Sequence, residues 1–355
     1  MNSRDIARLR LINQRLASPH QEAAPDQLVR WMGCIQAQDY AMAKWAVGCR
    51  LPHSTDADIE KAFQEGRILR THALRPTWHF VCPEDVCWML KFNAPKVRAL
   101  TRPYHRQLQI DAAILKKSKT LLTGALKEHG KLTRPQLAEV LRKGKIATND
   151  ARLGHLLMDA ELDGIICSAG RIGKQFAYGL LDGQGVKSHD GHVPRTFSPD
   201  ESIVELARRY FPSRGPATVQ DFAWWGGLTL TEARKGLDAV RSGLESAGDY
   251  WFRPPTDTAH PATTYLLPAF DEFTVAYKNR DDVLDPSHAA ACFYGLKPII
   301  LHNTRVIGTW QRTLKKGKAI IAVSHDDDYF NVADRLLKLQ GGRVVNEADL
   351  QTVVR

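Results

Sequence analysis

The hydrophobic pattern predicts helices followed by a β-hairpin in the first third of the chain. Ile6, Leu9, Ile12 and Leu16 recur at helical spacing, which is typical of an amphipathic helix. Further helices are predicted to begin near Pro25 and near Thr55. The stretch ILRTHALRPTWHFV then alternates as two strands around a bend. Helices followed by a hairpin are the order expected of a winged helix.

The same order of elements is predicted twice more. Residues 111–182 contain two amphipathic helices, the second capped by Thr133, and a third, ARLGHLLMDAELDG, at the position of a recognition helix. The strands IICSA and QFAYGLL follow, joined by a basic turn with Arg171 and Lys174, which we interpret as a wing. Residues 199–253 give a third copy of this order.

The pattern changes to short β segments from Thr263 onward. TTYLLPAF, KPIILHN, RVIGTWQRT and KAIIAVS predict a small barrel or sandwich, with a late helix at NVADRLLKL. The polar stretch DGQGVKSHDGHVP separates the second copy from the third. The predicted units are three winged helices and one C-terminal β domain: residues 1–110, 111–190, 191–258 and 259–355.

Composition narrows the class of protein. With 43% hydrophobic and 25% charged residues among 355, the chain is typical of a soluble globular protein. The first residues, MNSRDIARLRLINQRL, lack the apolar core of a signal peptide, and no apolar run is long enough to span a bilayer. We therefore expect a cytoplasmic location and no membrane contact. The six cysteines form no CxxC pair, which favours reduced thiols.

The positive charge is unevenly distributed. Residues 1–110 contain 16 Lys and Arg against 10 Asp and Glu, and residues 111–190 contain 13 against 9. The remaining residues contain 20 of each, so the whole net charge of +10 belongs to the first 190 residues. A basic half suits a polyanion such as nucleic acid, because neutralised phosphates release counterions. A solvated basic surface is the alternative.

Few residues form a recognisable chemical motif. The chain has no GxGxxG, P-loop, HExxH or GxSxG sequence, and His189 and His192 lack further metal ligands nearby, so we expect neither a cofactor nor a metal. The unusual motif is Gln36-Ala37-Gln38, at the predicted end of an apolar helix. At a helix end the two carboxamides can converge on a water or a sugar. Alternatively they are a solvated, polar helix terminus.

Several stretches in order resemble the AlkZ/YcaQ family of bacterial winged-helix DNA glycosylases. They are QAQDY (36–40), LRPTWHFV (74–81), RGPATVQDFAWWGGL (214–228), LLPAFDEFTVAYKNR (266–280) and RVIGTW (305–310). The resemblance implies an α+β fold of three tandem winged-helix domains packed around a C-terminal β-barrel. It also implies that Asp271 and Glu272 fix the C-terminal part to the helical part.

The resemblance implies a catalytic role for the two glutamines. The AlkZ-like branch has a Gln–aliphatic–Gln motif, which Gln36, Ala37 and Gln38 match. The implied activity is monofunctional removal of purines alkylated at N7 or N3 from double-stranded DNA, extending to bulky adducts or interstrand crosslinks. Such purines are cationic and leave easily, so neutral amides that orient a water at C1′ are sufficient.

Other residues are weaker candidates. The expected DNA contacts are Arg70, Arg75, Trp78, His79, Arg171, Lys174, Lys315 and Lys316. The alternative for His79 is a core position on a strand. The alternative for Arg70 and Arg75 is a solvated position on the hairpin. Trp224 and Trp225 are interpreted as core residues.

Two other classes of function compete with the glycosylase. A non-catalytic winged-helix transcriptional regulator is the alternative, since fold alone does not give function. An RNA-binding or assembly protein has little support, because no RNP-type aromatic strand is visible. For the glycosylase we expect a monomer associated with the nucleoid.

Overall fold

A computed structural model describes residues 1–17, 24–181, 195–255, 264–284, 296–315, 318–324, 338–340 and 343–346. Its first third contains the predicted helices and the predicted pair of strands. The elements are α1 (Ser3–Asn13), α2 (Pro25–Met32), β1 (Ile35–Gln36), α3 (Tyr40–Arg50), α4 (Asp56–Gln64), β2 (Leu69–Thr71) and β3 (His79–Val81).

Local side chains determine where these helices begin. At α1 the side chain of Asn2 accepts from the backbone of Asp5, whose carboxylate accepts in return from the Asn2 backbone. Thr55 and Asp58 form the same reciprocal pair at α4. Such pairs satisfy backbone N–H groups that have no partner inside a helix.

The middle of the chain follows the predicted order of three helices and a hairpin, after one long helix. The elements are α5 (Pro83–Gln107), α6 (Ala112–His129), β4 (Leu132–Thr133), α7 (Arg134–Lys143), α8 (Arg152–Leu162), β5 (Ile166–Ile172) and β6 (Gln175–Leu180). Eight of the eleven residues of α8 are buried, among them the whole run 156–162. The helix that occupies the recognition position is therefore packed inside the protein.

One antiparallel sheet connects the first two predicted units. Its strand order is β1-β3-β2-β5-β6-β4, and β2 meets β5 where Arg70 pairs with Ser168. The hairpin of residues 1–110 and that of residues 111–190 thus share a sheet. Strand pairing between distant segments leaves no local sequence signal, so the sequence predicted each hairpin and not their union.

The third predicted copy also has its elements. They are α9 (Pro199–Arg214), α10 (Val219–Gly226), α11 (Leu230–Val240), a 3-10 turn (Arg241–Gly243), β7 (Glu245–Ala247) and β8 (Tyr250–Phe252). Residues of α5, α9, α10 and α11 form one apolar core, which includes Trp88, Tyr210 and Trp225. The predicted domain boundaries and winged-helix assignments remain predictions.

The C-terminal part is an open sheet where the described residues show it. β9 (Thr264–Leu267), β10 (Ile299–His302), β11 (Arg305–Lys315) and β12 (Lys318–Ser324) form an antiparallel sheet in the order β12-β11-β10-β9. A separate pair is formed by β13 (Lys338–Gln340) and β14 (Arg343–Asn346). A barrel requires the first and last strands to pair, and here β9 does not pair with β12. The predicted closed barrel is therefore not observed in these ranges.

The predicted late helix lies mostly outside the described residues. Residues 325–337 are not described, and Lys338 and Leu339, at the end of that stretch, belong to strand β13. None of the described helices is long and apolar enough to cross a membrane.

Two fully buried ion pairs connect the helical part to the short helix α12 (Glu272–Val275). Arg50 binds Asp271 through two hydrogen bonds of 2.9 Å, and Arg214 donates to Glu272 at 2.7 and 2.9 Å. All four side chains are 0% exposed. The prediction that Asp271 and Glu272 fix the C-terminal part to the helices is confirmed.

Candidate active site

Contrary to the prediction, the Gln36–Gln38 segment does not end a helix; it is the end of a short strand followed by a bend. Helix α2 stops at Met32 because Gly33 adopts a positive φ of 74°, and α3 starts only after Asp39, whose carboxylate accepts from the Met42 backbone. Gln36 ends β1, Ala37 lies in the apolar core, and Gln38 is at the bend. Gln36 pairs with His79 and the Gln38 side chain reaches the Trp78 backbone, so both glutamines lie along the start of β3.

Three contacts hold the backbone of this segment. The Ala37 N–H donates to the carbonyl of Trp78 at 2.7 Å, and the Gln36 N–H donates to Oε1 of Glu272 at 2.9 Å. Nε of Arg70 donates to the Ala37 carbonyl at 3.0 Å. Two of these partners belong to the β2–β3 hairpin and the third to the distant helix α12, so the position of both glutamines depends on long-range packing.

The two carboxamides are anchored through their oxygens. Oε1 of Gln36 accepts from Nη2 of Arg75 at 3.2 Å, and Oε1 of Gln38 accepts from the Trp78 N–H at 3.3 Å. Gln36 is only 5% exposed, whereas Gln38 is exposed. An amide oxygen has a second lone pair, and each NH2 group has two donors. Each side chain therefore keeps capacity to donate to and accept from a water.

Several buried polar atoms beside Gln36 have no hydrogen-bond partner among the described residues. They belong to one short segment: Nε of Arg75, Oγ1 of Thr77, and both ring nitrogens of His79. Buried polar groups in folded proteins are nearly always paired, so a local cluster of exceptions requires an explanation. A site that binds water or substrate supplies one.

His79 is a neutral, buried neighbour of Gln36. It pairs with Gln36 across β1 and β3, and is 1% exposed. Burial lowers the His79 pKa well below 6.5, with smaller contributions from Arg75 and His72, while the Thr77 backbone opposes the shift. Residues paired across antiparallel strands point to the same face, so the buried ring lies beside Gln36, and the DNA contact of His79 stays a prediction.

Arg70 also supports the site from inside. Its guanidinium is buried and lies 4.2 Å from the Trp78 ring and 4.6 Å from the Phe176 ring. Burial lowers the Arg70 pKa to about 10. The predicted phosphate contact of Arg70 is not supported, because its guanidinium is directed at the backbone of Ala37 and at two aromatic rings.

Arg75 and Trp78 line the site itself. Burial lowers the Arg75 pKa, and the nearby Glu272 opposes this shift. The Trp78 ring is half-buried between Arg70 and His72, whose ring centroid lies 4.2 Å away. The structure thus brings these predicted residues to the glutamines. Both have been assigned as DNA contacts, and their direct partners here are Gln36 and Gln38.

The predicted wing residues differ in exposure. Lys174 is exposed at the turn between β5 and β6. Arg171 is half-buried, donates to the Lys174 carbonyl at 2.9 Å and lies 3.6 Å from Glu60. Lys315 ends β11, but its side chain is not described, and Lys316 lies outside the described residues.

Trp224 is a surface residue that the sequence interpretation placed in the core. Trp225 is fully buried and donates to Glu272 at 3.2 Å, as expected of a core residue. Trp224 is 46% exposed, and its indole N–H donates to the Val275 carbonyl at 3.1 Å. Val275 ends the same short helix whose first residue, Glu272, holds Gln36. Adjacent tryptophans on a helix point about 100° apart, and this is the signal that could have separated them.

Metal ligation has no support in the described part of the chain. No group of three or more His, Cys, Asp or Glu side chains there could hold an ion. His189 and His192 lie outside the described residues.

Comparisons with known proteins identify the family of this chain. The family model described as DNA glycosylase AlkZ-like matches residues 29–344. The fold is similar to that of Streptomyces sahachiroi DNA glycosylase AlkZ, with a TM-score of 0.71, 20% sequence identity, and coverage of 92% of this chain and 91% of the other. No curated protein sequence matches. The chain therefore belongs to the AlkZ-like family of DNA glycosylases, hydrolases that act on N-glycosyl bonds in DNA repair.

Proposed function

We propose that this glycosylase releases purines alkylated at N7 or N3 from double-stranded DNA, with Gln36 and Gln38 positioning the water that attacks C1′. The observation that carries the proposal is the pair of neutral carboxamides anchored by Arg75 and by the Trp78 backbone, three residues apart in one segment. Each amide is anchored at one atom and keeps free donors and a free lone pair. A water held between donor and acceptor groups is oriented for attack.

The neutral character of the site limits the substrates. Of the nearby carboxylates, Glu272 is occupied by Arg214, Trp225 and the Gln36 N–H, and Asp39 caps α3 by accepting from the Met42 backbone, so neither is proposed to act as the base. His79 is neutral and buried beside Gln36. Without a strong base or acid, hydrolysis requires a base that already leaves readily. Purines alkylated at N7 or N3 carry a positive charge and meet this requirement.

The exposure of Gln38 bears on the size of the lesion. Gln38 is exposed while Gln36 is nearly buried, so the lesion approaches from the Gln38 side. An exposed catalytic amide does not require the base to enter an enclosed pocket. We therefore extend the proposed substrates to bulky adducts and interstrand crosslinks.

Two further surface residues are proposed to contact DNA. Trp224 is linked to Gln36 through α12 and presents an exposed ring beside the site, suited to stacking on an unpaired or distorted base. Lys174 at the exposed turn is suited to a phosphate. We propose that the enzyme acts as a monomer on nucleoid DNA.

The regulator alternative has less support. A sequence-reading winged helix places its recognition helix in the major groove. In the second predicted unit this helix is α8, and eight of its eleven residues are buried. Only its first turn is partly exposed, which leaves little surface to read bases.

The decisive test is single-turnover release of N7-methylguanine by wild type and by Gln38→Ala. We expect a loss of about 100- to 1,000-fold in the rate constant, because one group that stabilises the transition state is removed. Gln38 is exposed, so folding and duplex binding should be unchanged. Gln36→Ala should act similarly, and the double variant should be scarcely slower than either single variant. Equal rates for wild type and Gln38→Ala would disprove the catalytic assignment.

A further inference from the structure

The positive charge of this protein is concentrated in one short region. Residues 91–131 contain ten Lys and Arg against two acidic residues, a net of +8 out of the +10 of the whole chain. This region forms the second half of α5 and all of α6. None of its charged side chains belongs to the site around Gln36.

The two helices border a groove of about 1060 Å³, closed on its third side by α8. We call it the α5–α6 groove. Its charged lining is Arg98, Arg102, Arg106, Asp111, Lys116, Lys119, Lys127, Asp159 and Asp163. Asp111 caps α6 by accepting from the Ile114 backbone, so it does not neutralise the groove's cations directly.

The cations on the floor of the groove form ion pairs, whereas the cations on its rim form none among the residues that the structure describes. On the floor, Nε of Arg98 and Nζ of Lys119 bind Asp159 at 2.9 and 2.8 Å, and both cations also bind Asp163. The rim carries four exposed cations with no ion pair in the described part of the chain: Arg102, Arg106, Lys116 and Lys127. These four charges are available to a ligand.

The rim cations lie on two neighbouring helices, Arg102 and Arg106 on α5 and Lys116 and Lys127 on α6. Lys and Arg are common donors to DNA phosphates. Cations that extend along two helices suit a sugar-phosphate backbone better than a small anion.

Helix α8 separates the groove from the active site. Asp159 points to the groove, whereas Glu161 accepts from Thr71 at 2.7 Å and contacts His72 at 2.8 Å, on the side of the catalytic strands. Residues two apart on a helix point about 200° apart. The groove is therefore a different surface from the one that presents Gln38. The two are separated by one helix, roughly 10 Å thick.

We propose that the α5–α6 groove binds the phosphate backbone of the duplex arm that flanks the lesion. This proposal rests on the proposed action on double-stranded DNA. It assigns part of the affinity for DNA to a surface that takes no part in hydrolysis. A turn of duplex spans about 34 Å, so a duplex held at Gln38 extends well past the thickness of α8. The contact reads no bases, because flexible cations on two helices recognise phosphates alone.

The test compares binding of undamaged duplex by wild type and by the variant Arg102→Gln/Arg106→Gln/Lys116→Gln/Lys127→Gln. We expect the slope of log Kd against log salt to fall by about 3, and affinity at physiological salt to fall on the order of 100-fold. The rate constant for base release at saturating enzyme should stay within about twofold of wild type. When the lesion lies about three base pairs, roughly 10 Å, from the end of the duplex that faces the groove, that arm does not pass α8, and loss of the groove charges should then cost little affinity.

A matched control removes four exposed cations elsewhere that form no ion pair among the described residues: Arg4→Gln/Arg8→Gln/Arg234→Gln/Arg305→Gln. Its salt slope should stay near that of wild type. An unchanged slope in the groove variant, or an equal change in both variants, would overturn the proposal. An equal loss of affinity with the lesion near either end of the duplex would overturn the assignment to the flanking arm. If the fourfold variant does not fold, Lys116→Gln/Lys127→Gln should show about half the change.

The two proposals fail in different ways. If wild type releases no alkylated base, the proposed substrate is wrong, and the salt slopes still decide whether the groove binds duplex. If base release at saturation falls with the groove charges while folding is intact, the separation of the two surfaces is wrong.

Discussion

The two sides of α8 differ in how they use charge. On one side, Gln36 and Gln38 are neutral, and the ions that support them, Arg214 and Glu272, are 0% exposed. On the other side, the α5–α6 groove has four exposed cations that no acidic side chain neutralises among the described residues. Buried charge is costly unless it is paired, whereas exposed charge costs little and attracts phosphates at a distance.

This difference indicates a division of labour. The hydrolytic side requires fixed dipoles at one point, and its precision comes from contacts between residues more than 200 positions apart, such as Gln36 with Glu272. The groove requires only charge density, which two neighbouring helices supply. Substitutions on the first side should therefore affect folding and chemistry, and those on the second side should affect affinity.

The largest effect expected in folding follows from Glu272→Gln. The carboxylate of Glu272 binds Arg214, Trp225 and the Gln36 N–H. Its neutralisation leaves a buried guanidinium unpaired, so we expect the free energy of unfolding to fall by about 3 kcal/mol. Urea denaturation measures this change. Base release should also slow at temperatures where the variant remains folded.

An exposed ion pair provides the control for that variant. Asp200 binds Lys235 at 2.7 Å, and both side chains are more than half exposed. Asp200→Asn should change the free energy of unfolding by less than about 0.5 kcal/mol. A similar loss in the two variants would contradict the view that the catalytic segment is held by buried charge.

A smaller effect is expected from Trp224→Ala. The exposed ring lies at the edge of the catalytic side and contributes contact with DNA, so its loss should weaken binding of lesion-containing duplex by about 10-fold. Trp224→Phe should retain most of the affinity. Trp225→Ala, which empties a fully buried site, should instead destabilise the fold by about 3 kcal/mol or more. If Trp224→Ala binds as well as wild type, the ring is not a DNA contact.

The sequence predicted helices and hairpins well because their signals are local. The caps at Thr55 and Thr218, the apolar periodicity of α6 and the alternation around β2 and β3 all lie within short windows. The glutamine motif was also recognised, but its conformation was not. A positive φ at Gly33 and the cap at Asp39 leave only a short extended stretch between two helices, which apolar periodicity does not distinguish from a helix end.

Long-range features had no such signal. The sheet shared by the first two units depends on the pairing of Arg70 with Ser168. The C-terminal sheet is open because β9 does not pair with β12. The burial of Arg70 and His79 and the exposure of Trp224 likewise depend on which segments pack together. The residue type showed which side chains could bind DNA or support catalysis. Only the fold showed whether each of them points to the surface or into the core.

The smallest expected effect concerns pH and tests the neutrality of the catalytic side. The His79 pKa lies well below 6.5 in the folded protein because the ring is buried. In the unfolded chain the ring takes up a proton below about 6.5, so the unfolded state gains protons that the folded state does not. His79 therefore contributes stability above that pH, and this contribution is lost as the pH falls toward the folded pKa.

Unfolding of wild type and His79→Gln by urea at about pH 7.5, 6.5 and 5.5 measures this contribution. Below about pH 6.5 the wild-type free energy of unfolding should fall more steeply than that of the variant, by at most about 1.4 kcal/mol per pH unit. The lowered pKa values of His105 and His155 remain in both proteins, so only the difference between them reports on His79. The groove variant, which keeps His79, should retain the wild-type dependence. Equal slopes in wild type and His79→Gln would show that the ring accepts a proton in the folded protein, and a charged imidazolium would then lie directly beside Gln36.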